Sequence, residues 1–513
     1  MQEQATSKNT SSKRIAKNVL FLYIRLFLIL IVGLYTSRVV LDRLGAVDYG
    51  LFNVVGSLVL IFTFVSGSLS SSASRFMSVE LEVGNQMSQN RVFCMTLNIH
   101  LIIAAIVLVL AETIGVWYLF NKMVIPDDRL FAAFLVYQLS CISAILALLV
   151  VPYRALIIAN EQMKAFAYLS IFEVLAKLAI AFCLYINGID KLILYGLMLC
   201  FVQVGVNMLY LIYCRKTFRE SNYHRLWDGP LFKEMIIFSG WSTCGTLATS
   251  AVSQGYNLLL NLFCGPIVNA ARGLAYQVQT KIVQFATNFQ IALNPQIVKN
   301  YASSDIERVE DLVNMSIKIS FSLMFILLFP LLVNIEGVLS IWLVDVPNNT
   351  SLFVVLICVT AVFGAMSNPF GVVAEAANQL KKVMLITTPI FLLALPISYC
   401  ALYFKMPAYS VFIIALFAEF IVLWVKFFIA RGILSDKMRM TSFLLLKCIC
   451  SIFLFFCIGF LLRSFFDSKL LSVFICGMIC LIFSSLWVLY IILSKHERDV
   501  VISKIKVFLS KRR

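Results

Sequence analysis

Six polar side chains, Thr243, Thr246, Ser250, Gln254, Asn257 and Asn261, follow one another at steps of three or four, so on a helix they form a single stripe. The run that carries them is otherwise apolar. Hydroxyls and amides in that setting either line a hydrated slot or hydrogen-bond a neighbouring helix, the second use being helped here by Gly240, Gly245, Ala248 and Gly255. A stripe this long favours the slot, so Ser250, Gln254, Asn257 and Asn261 are expected to line a cavity. An earlier run repeats the pattern more faintly with Asn53, Ser57, Ser68, Ser71 and Arg75; its alternative is an ordinary cytoplasmic flank. A third run carries Gln277, Lys281, Gln284 and Asn288 on one side, with Arg272 and Gln279 roughly 140° away at ~100° per residue. One straight helix cannot aim both sets at one cavity. A cation at the centre of a bilayer costs about 2.5–3.5 kcal/mol, so Arg272 either snorkels to the interface or meets an anionic partner.

Other ionisable groups in apolar runs have local accounts. Glu173 and Lys177 are four apart and can pair; Glu419 and Lys426, seven apart, permit the same explanation. Arg25, Lys318 and Lys447 have no acid nearby in sequence and are assigned to snorkelling. Glu112, without a nearby base, is a candidate for proton coupling.

The elements that must hold these groups follow from composition. With 61% hydrophobic and 13% charged residues, the chain cannot cover a water-facing surface and belongs in a bilayer. About fourteen apolar stretches fit ~30 Å of hydrocarbon as helices, near 18–37, 50–72, 92–118, 130–151, 164–186, 191–213, 235–260, 268–293, 312–335, 351–372, 382–404, 409–430, 442–462 and 470–493. The first is read as an anchor and not as a cleaved leader, because it is span-length and ends without a small-residue site. Lys and Arg fall about 27 to the side of the N-terminus and about 8 to the other, which places both termini in the cytoplasm. The formal charge of +16 is this topology bias and implies no nucleic acid. The tail, 494–513, either lies on the inner leaflet as a basic amphipathic helix or is a disordered basic end. Fourteen cysteines, nearly all within spans and without a Cys-x-x-Cys pair, are packing residues, and no metal or other cofactor is expected. The loops are too short for a soluble catalytic domain, and no Gly-rich phosphate loop is present, which makes an enzyme the weaker class.

Two related halves are expected. Ala159-Asn160-Glu161-Gln162-Met163-Lys164 returns about 218 residues later as Ala377-Asn378-Gln379-Leu380-Lys381-Lys382; nearly the same offset links Pro152 to Pro369 and Leu41–Gly45 to Asn261–Gly265. The resulting division is an N-terminal segment 1–17, a first lobe 18–213, a linker 214–234, a second lobe 235–430, two further spans in 431–493 and the tail 494–513.

Four segments resemble polysaccharide flippases of the MATE-like multidrug/oligosaccharidyl-lipid/polysaccharide exporter superfamily, which also holds multidrug exporters and the lipid II flippase. They are Ser37–Leu41 through Leu44–Leu51; Pro152 through Ala159-Asn160 and Met163-Lys164; Val268-Asn269-Ala270-Ala271-Arg272-Gly273 through Asn294-Pro295-Gln296-Ile297; and Ala376-Ala377-Asn378 through Lys382. The third is most specific and resembles O-antigen and capsule flippases. The resemblance implies an all-α membrane fold of two six-helix lobes facing each other in a V, followed by two extra helices. It implies transport of a lipid-linked oligosaccharide across the bacterial inner membrane by a monomer, for lipopolysaccharide or other surface polysaccharide. Arg38, Arg75 and Arg272 best correspond to arginines that contact the diphosphate. Sodium-site acids of exporters are not clearly matched, so a coupling cation, proton or sodium, is left open. The alternative on the same scaffold is a cation-coupled exporter of small amphipathic molecules.

Overall fold

Short acidic side chains start several of the helices. In the computed structural model Asp190, Asp228 and Asp305 accept hydrogen bonds from backbone N–H groups just after them, at Leu192 and Ile193, at Leu231 and at Arg308. These bonds satisfy donors that a helix start otherwise leaves open. The structure describes residues 31–59, 76–77, 86–160, 162–185, 188–434, 439–463, 470–499 and 503. The segment 1–17, Arg25, Ser68, Ser71, Arg75 and nearly all of the tail after 499 lie outside the described residues.

Among the described residues every regular element is helical. Helix α1 covers 31–59. Helix α2, Gln86–Leu110, continues through a π-helical turn at Ala111–Gly115 to Val116–Asn121. There follow α3 (Leu130–Leu149), α4 (Val151–Ala159), α5 (Met163–Cys183), α6 (Lys191–Thr217), α7 (Gly229–Cys264), α8 (Pro266–Ala302), α9 (Ile306–Val333), α10 (Ile335–Trp342), α11 (Thr350–Ala376), α12 (Leu380–Tyr403), α13 (Ser410–Ile433), α14 (Arg439–Arg463) and α15 (Leu470–Trp487). Ten of the described helices are long and apolar enough to cross a membrane, which makes this a multi-pass membrane protein. Helices α7 and α8, with 36 and 37 residues, run about 55 Å at ~1.5 Å per residue and so outreach ~30 Å of hydrocarbon.

Backbone geometry repeats where the sequence does. Gly45 and Gly265, at corresponding positions, adopt φ +77° and +81°, a left-handed conformation that glycine takes without a Cβ penalty. Helices α4 and α11 end at Ala159 and Ala376; the Gln162 and Gln379 N–H groups then bond back to the carbonyls of Ile157 (3.0 Å) and Ala374 (2.7 Å) before the next helix starts. The two halves close their fourth helices in the same way.

The chain divides into compact units of residues 1–270 and 271–513. Helix α7 lies in the first of these units. In that unit α3 lies along α6 and α2, over a core that includes Phe93, Tyr153, Leu156 and Tyr210. In the second unit α11 packs on α13, and α9 on α11, α14 and α15, with Phe325 and Phe329 edge-on to Phe455.

Ion pairs tie together helix ends that the Lys/Arg count assigns to one side. On the side read as outer, Arg129 donates through Nε and Nη2 to Asp48 (2.8 and 2.5 Å) and through Nη1 to Asp190 (2.5 Å). On the side read from that count as inner, Arg91 pairs with Asp228, and Lys318 with Glu497 at 2.9 Å; snorkelling is therefore not the account for Lys318. Burial pushes the Asp190 carboxyl up, but Arg129 and the two backbone N–H donors outweigh it and hold the group below the usual carboxylate range. Asp48 goes the other way, because its burial outweighs the pull of Arg129. A depressed carboxyl stabilises the fold above its unfolded value of ~3.9 and loses that contribution as pH falls through the lower folded value. Arg129→Ala is expected to cost on the order of 3 kcal/mol at neutral pH, read as a lower melting temperature in detergent, with the gap to the parent closing in acid.

Candidate functional site

The α7 stripe is mostly sealed. Asn257 and Asn261 are 2% and 0% exposed. Asn257 Nδ2 donates to Ser57 Oγ (2.7 Å) and the Asn53 carbonyl (3.2 Å), while Asn269 Nδ2 donates to the Asn257 carbonyl (2.7 Å) and Oδ1 (2.6 Å). Asn261 Oδ1 accepts from the Val124 N–H at 3.0 Å. Asn53 Nδ2 is held by the Tyr49 carbonyl and Ser57 Oγ by the Val54 carbonyl. For Asn257, Asn261 and Ser57 the sequence leaves two uses open, and in this conformation they are hydrogen-bonded to neighbouring segments. A polar stripe has the same spacing whether it meets water or matching amides of a neighbour. These bonds also explain why α7 belongs to the first unit. Ser250 and Gln254 remain partly exposed, whereas the side chains of Thr243 and Thr246 lie outside the described residues. Cysteine placed at Gln254 should react with a water-soluble thiol reagent and cysteine at Asn257 should resist it, in a cysteine-free background; equal reactivity would contradict the seal.

In the second unit a different face of α8 meets open space. Arg272, 6% exposed, sets its guanidinium 4.2 Å from the Tyr276 ring centroid. One turn on, Tyr276, Gln279 and Val283 line a cavity of ≈ 270 Å³. Its other walls are α11, with Thr360, Gly364 and Asn368, and α13, with Phe412 and Glu419. The Arg272/Gln279 face, and not the Lys281 stripe, adjoins this cavity. Gln277 and Lys281 are half-buried, Gln284 is exposed, and the Asn288 side chain lies outside the described residues. Arg38 is exposed on α1 in the first unit.

Glu419 was missed as a cavity group. Residues seven apart stand about 10.5 Å apart along a helix axis, too far for direct pairing; Lys426 donates to Ser367 Oγ at 3.3 Å instead. Among the described residues Glu419 has no hydrogen bond and no ion pair within 4 Å, although Lys426 still acts on it electrostatically. At Gly364 a Cβ would stand 3.3 Å from Glu419 Oε1, so the glycine leaves room for the carboxylate beside α11. Behind the cavity Gln290 Nε2 donates to Ser320 Oγ (3.0 Å) and the Ala365 carbonyl (2.7 Å), and Asn368 Nδ2 donates to Gln290 Oε1 (3.2 Å). That last bond uses one of the two Asn368 N–H donors and leaves its carbonyl as an acceptor.

The expected Glu173–Lys177 pair is present at 2.7 Å, with Arg154 at 3.5 Å from the same carboxylate. Glu112, in the π-helical turn, is exposed and accepts from Gln138 at 3.1 Å. A larger cavity of ≈ 330 Å³ between α9, α11 and α14 is walled by Phe325, Phe329, Val355 and Phe455. It offers few groups for a charged or sugar ligand.

No protein-family model matches the sequence, and no curated protein sequence does either. Solved structures do. The lipid II flippase MurJ in an inward closed conformation superposes with a TM-score of 0.65 at 13% identity, over 94% of this chain and 100% of that one. An inward-facing multidrug resistance MATE family transporter of the MOP superfamily gives 0.58 at 15% identity, over 81% and 94%. A MOP superfamily transporter from Pyrococcus furiosus gives 0.56 at 16%, over 82% and 96%. At such identities the likeness speaks for architecture: this chain has the all-helical fold shared by MATE transporters and MurJ.

Proposed function

We propose that this chain is a flippase that carries a polyprenyl-diphosphate-linked oligosaccharide from the cytoplasmic to the outer leaflet of the bacterial inner membrane by alternating access, supplying O-antigen or another surface polysaccharide. The observation that carries the proposal is a guanidinium, Arg272, buried on α8 and stacked on Tyr276, which lines a cavity with polar groups. The cargo's tail stays in lipid, but its phosphates and glycan cannot cross hydrocarbon unaided. Arg272 would hold the diphosphate by charge-assisted hydrogen bonds, with Arg38 and Arg75 as further phosphate contacts. Partly exposed groups at Ser250 and Gln254, and Gln279 on the Arg272 face of α8, would meet the glycan. No covalent bond changes, so no enzyme activity is assigned. The termini are placed in the cytoplasm and the working form is a monomer.

A second proposal, a cation-coupled exporter of small amphipathic molecules, is favoured by one observation: Glu419 shares its cavity with the aromatic rings of Tyr276 and Phe412, which suits an organic cation. Membrane potential separates the two. A diphosphate leaving a negative interior gains about 2.3 kcal/mol per charge per 100 mV. In liposomes with a clamped potential, flipping of a labelled polyprenyl diphosphate glycan should accelerate when the donor side is negative. No dependence on potential would reject voltage as the drive and leave proton or sodium coupling; uptake of organic cations alone would reject the flippase.

A further inference from the structure

The cavity between α8, α11 and α13 is larger than an ion requires and more acceptor-rich than a phosphate tolerates. At ≈ 270 Å³ it has room for about nine waters at ~30 Å³ each. Two of its walls are aromatic, Tyr276 and Phe412. The lining also carries the Glu419 carboxyl, without a hydrogen bond or ion pair within 4 Å among the described residues, and the Asn368 amide, which gives one N–H to Gln290 and keeps its carbonyl as an acceptor. Thr360 donates its hydroxyl to the Leu356 carbonyl at 2.8 Å and so also turns lone pairs outward. A flat apolar ring face for aromatic walls, together with several donors for these acceptors, describes a sugar ring; an anion held apart from its nearest cation calls for a positive charge on it.

We infer that this cavity is a subsite for an amine-bearing sugar residue of the cargo glycan, held by Glu419 through its ammonium group and packed against the Tyr276 ring. The inference rests on the flippase proposal for the identity of the cargo. Arg272, Tyr276, Gln279 and Val283 follow one another along one face of α8, and Arg272 to Gln279 is about 10.5 Å of helix rise. With the diphosphate at Arg272, the cavity receives sugars next to the lipid and not the far end of the chain. The charged groups around Glu419 are Lys426, two turns along α13 and bonded to Ser367, and Arg272 on α8, stacked on Tyr276; α11 contributes no charged group to the lining. Glu419 is thus the one acidic residue of the cavity wall among the described residues.

The test is saturation-transfer NMR on the full-length chain in lipid nanodiscs, with glucosamine, N-acetylglucosamine and glucose as probes. Glucosamine is expected to bind about tenfold more tightly than the other two. Glu419→Gln should abolish that preference, Glu419→Asp should retain part of it, and Tyr276→Leu should weaken all three sugars alike. Each variant is compared at equal melting temperature and monodispersity, so that a folding defect is seen as such. Equal binding of the three probes, or a preference untouched by Glu419→Gln, would overturn the inference. So would displacement of glucosamine by sodium, which would make this an ion site, or binding of tetraphenylphosphonium with none of glucosamine, which would make it an exporter pocket. Binding is read without transport: loss of sugar preference with flipping intact overturns the subsite alone, whereas a preserved preference without flipping overturns the transport proposal alone.

Discussion

Arg272→Ala is expected to slow flipping of a polyprenyl diphosphate glycan about 100-fold. Truncating one partner of a desolvated charge contact costs 2–5 kcal/mol, and each 1.4 kcal/mol is tenfold. Arg272→Lys should recover little of this, because an ammonium is a point charge that neither stacks flat on Tyr276 nor forks two hydrogen bonds onto one phosphate. Rates in proteoliposomes of matched protein content decide the matter. If Arg272→Ala flips at the parent rate, Arg272 leaves the site and becomes a helix-packing residue. Full activity in Arg272→Lys would keep the charge and discard the bidentate contact.

The second large effect is structural. At Gly50 an added Cβ would lie 1.9 Å from the Pro266 carbonyl oxygen, so the α1 backbone and the start of α8 touch directly. Backbone cannot rotate away as a side chain can. Gly50→Ala is expected to cost at least the ~3 kcal/mol upper end of ordinary overpacking, seen as a fall in apparent melting temperature on the order of 10 °C or as loss of folded protein. Gly56, on the same helix with nothing within 4 Å of a built Cβ, supplies the control; Gly56→Ala should leave the melting temperature unchanged or slightly raised. Equal effects of the two substitutions would show that the close approach is not what requires glycine at position 50.

How much of this was legible in the sequence follows from the range of each interaction. Helix formation is local, so ten of the fourteen apolar runs return as described helices long and apolar enough to span, and the short echo around Gln162 and Gln379 anticipated two helix ends with matching backbone bonds. Glu173–Lys177, one turn apart, was equally open to sequence. Contacts made across the fold were not. Arg129 meets Asp48 and Asp190 from three separate segments, and Lys318 meets Glu497 beyond the last span; neither pairing has a spacing to betray it. The face of α8 that adjoins the cavity was undecided between Arg272 and Lys281, because only packing against α11 and α13 selects it. The same packing turned Glu419 from half of a supposed ion pair into a cavity wall. The partners of Asn257 and Asn261 were hidden for the same reason: Asn53, Ser57 and Val124 lie more than a hundred residues away in sequence.

The central claim is that an arginine-bearing polar site lets the anionic head of a lipid carrier change leaflets. Its most direct test is a flipping assay in proteoliposomes, in which polyprenyl diphosphate glycan loaded in the inner leaflet becomes accessible to a lectin added outside. The account predicts transfer of the diphosphate-linked glycan by the parent chain and a loss of about two orders of magnitude in Arg272→Ala. Transfer that is absent in the parent, or identical in the two proteins, would contradict it.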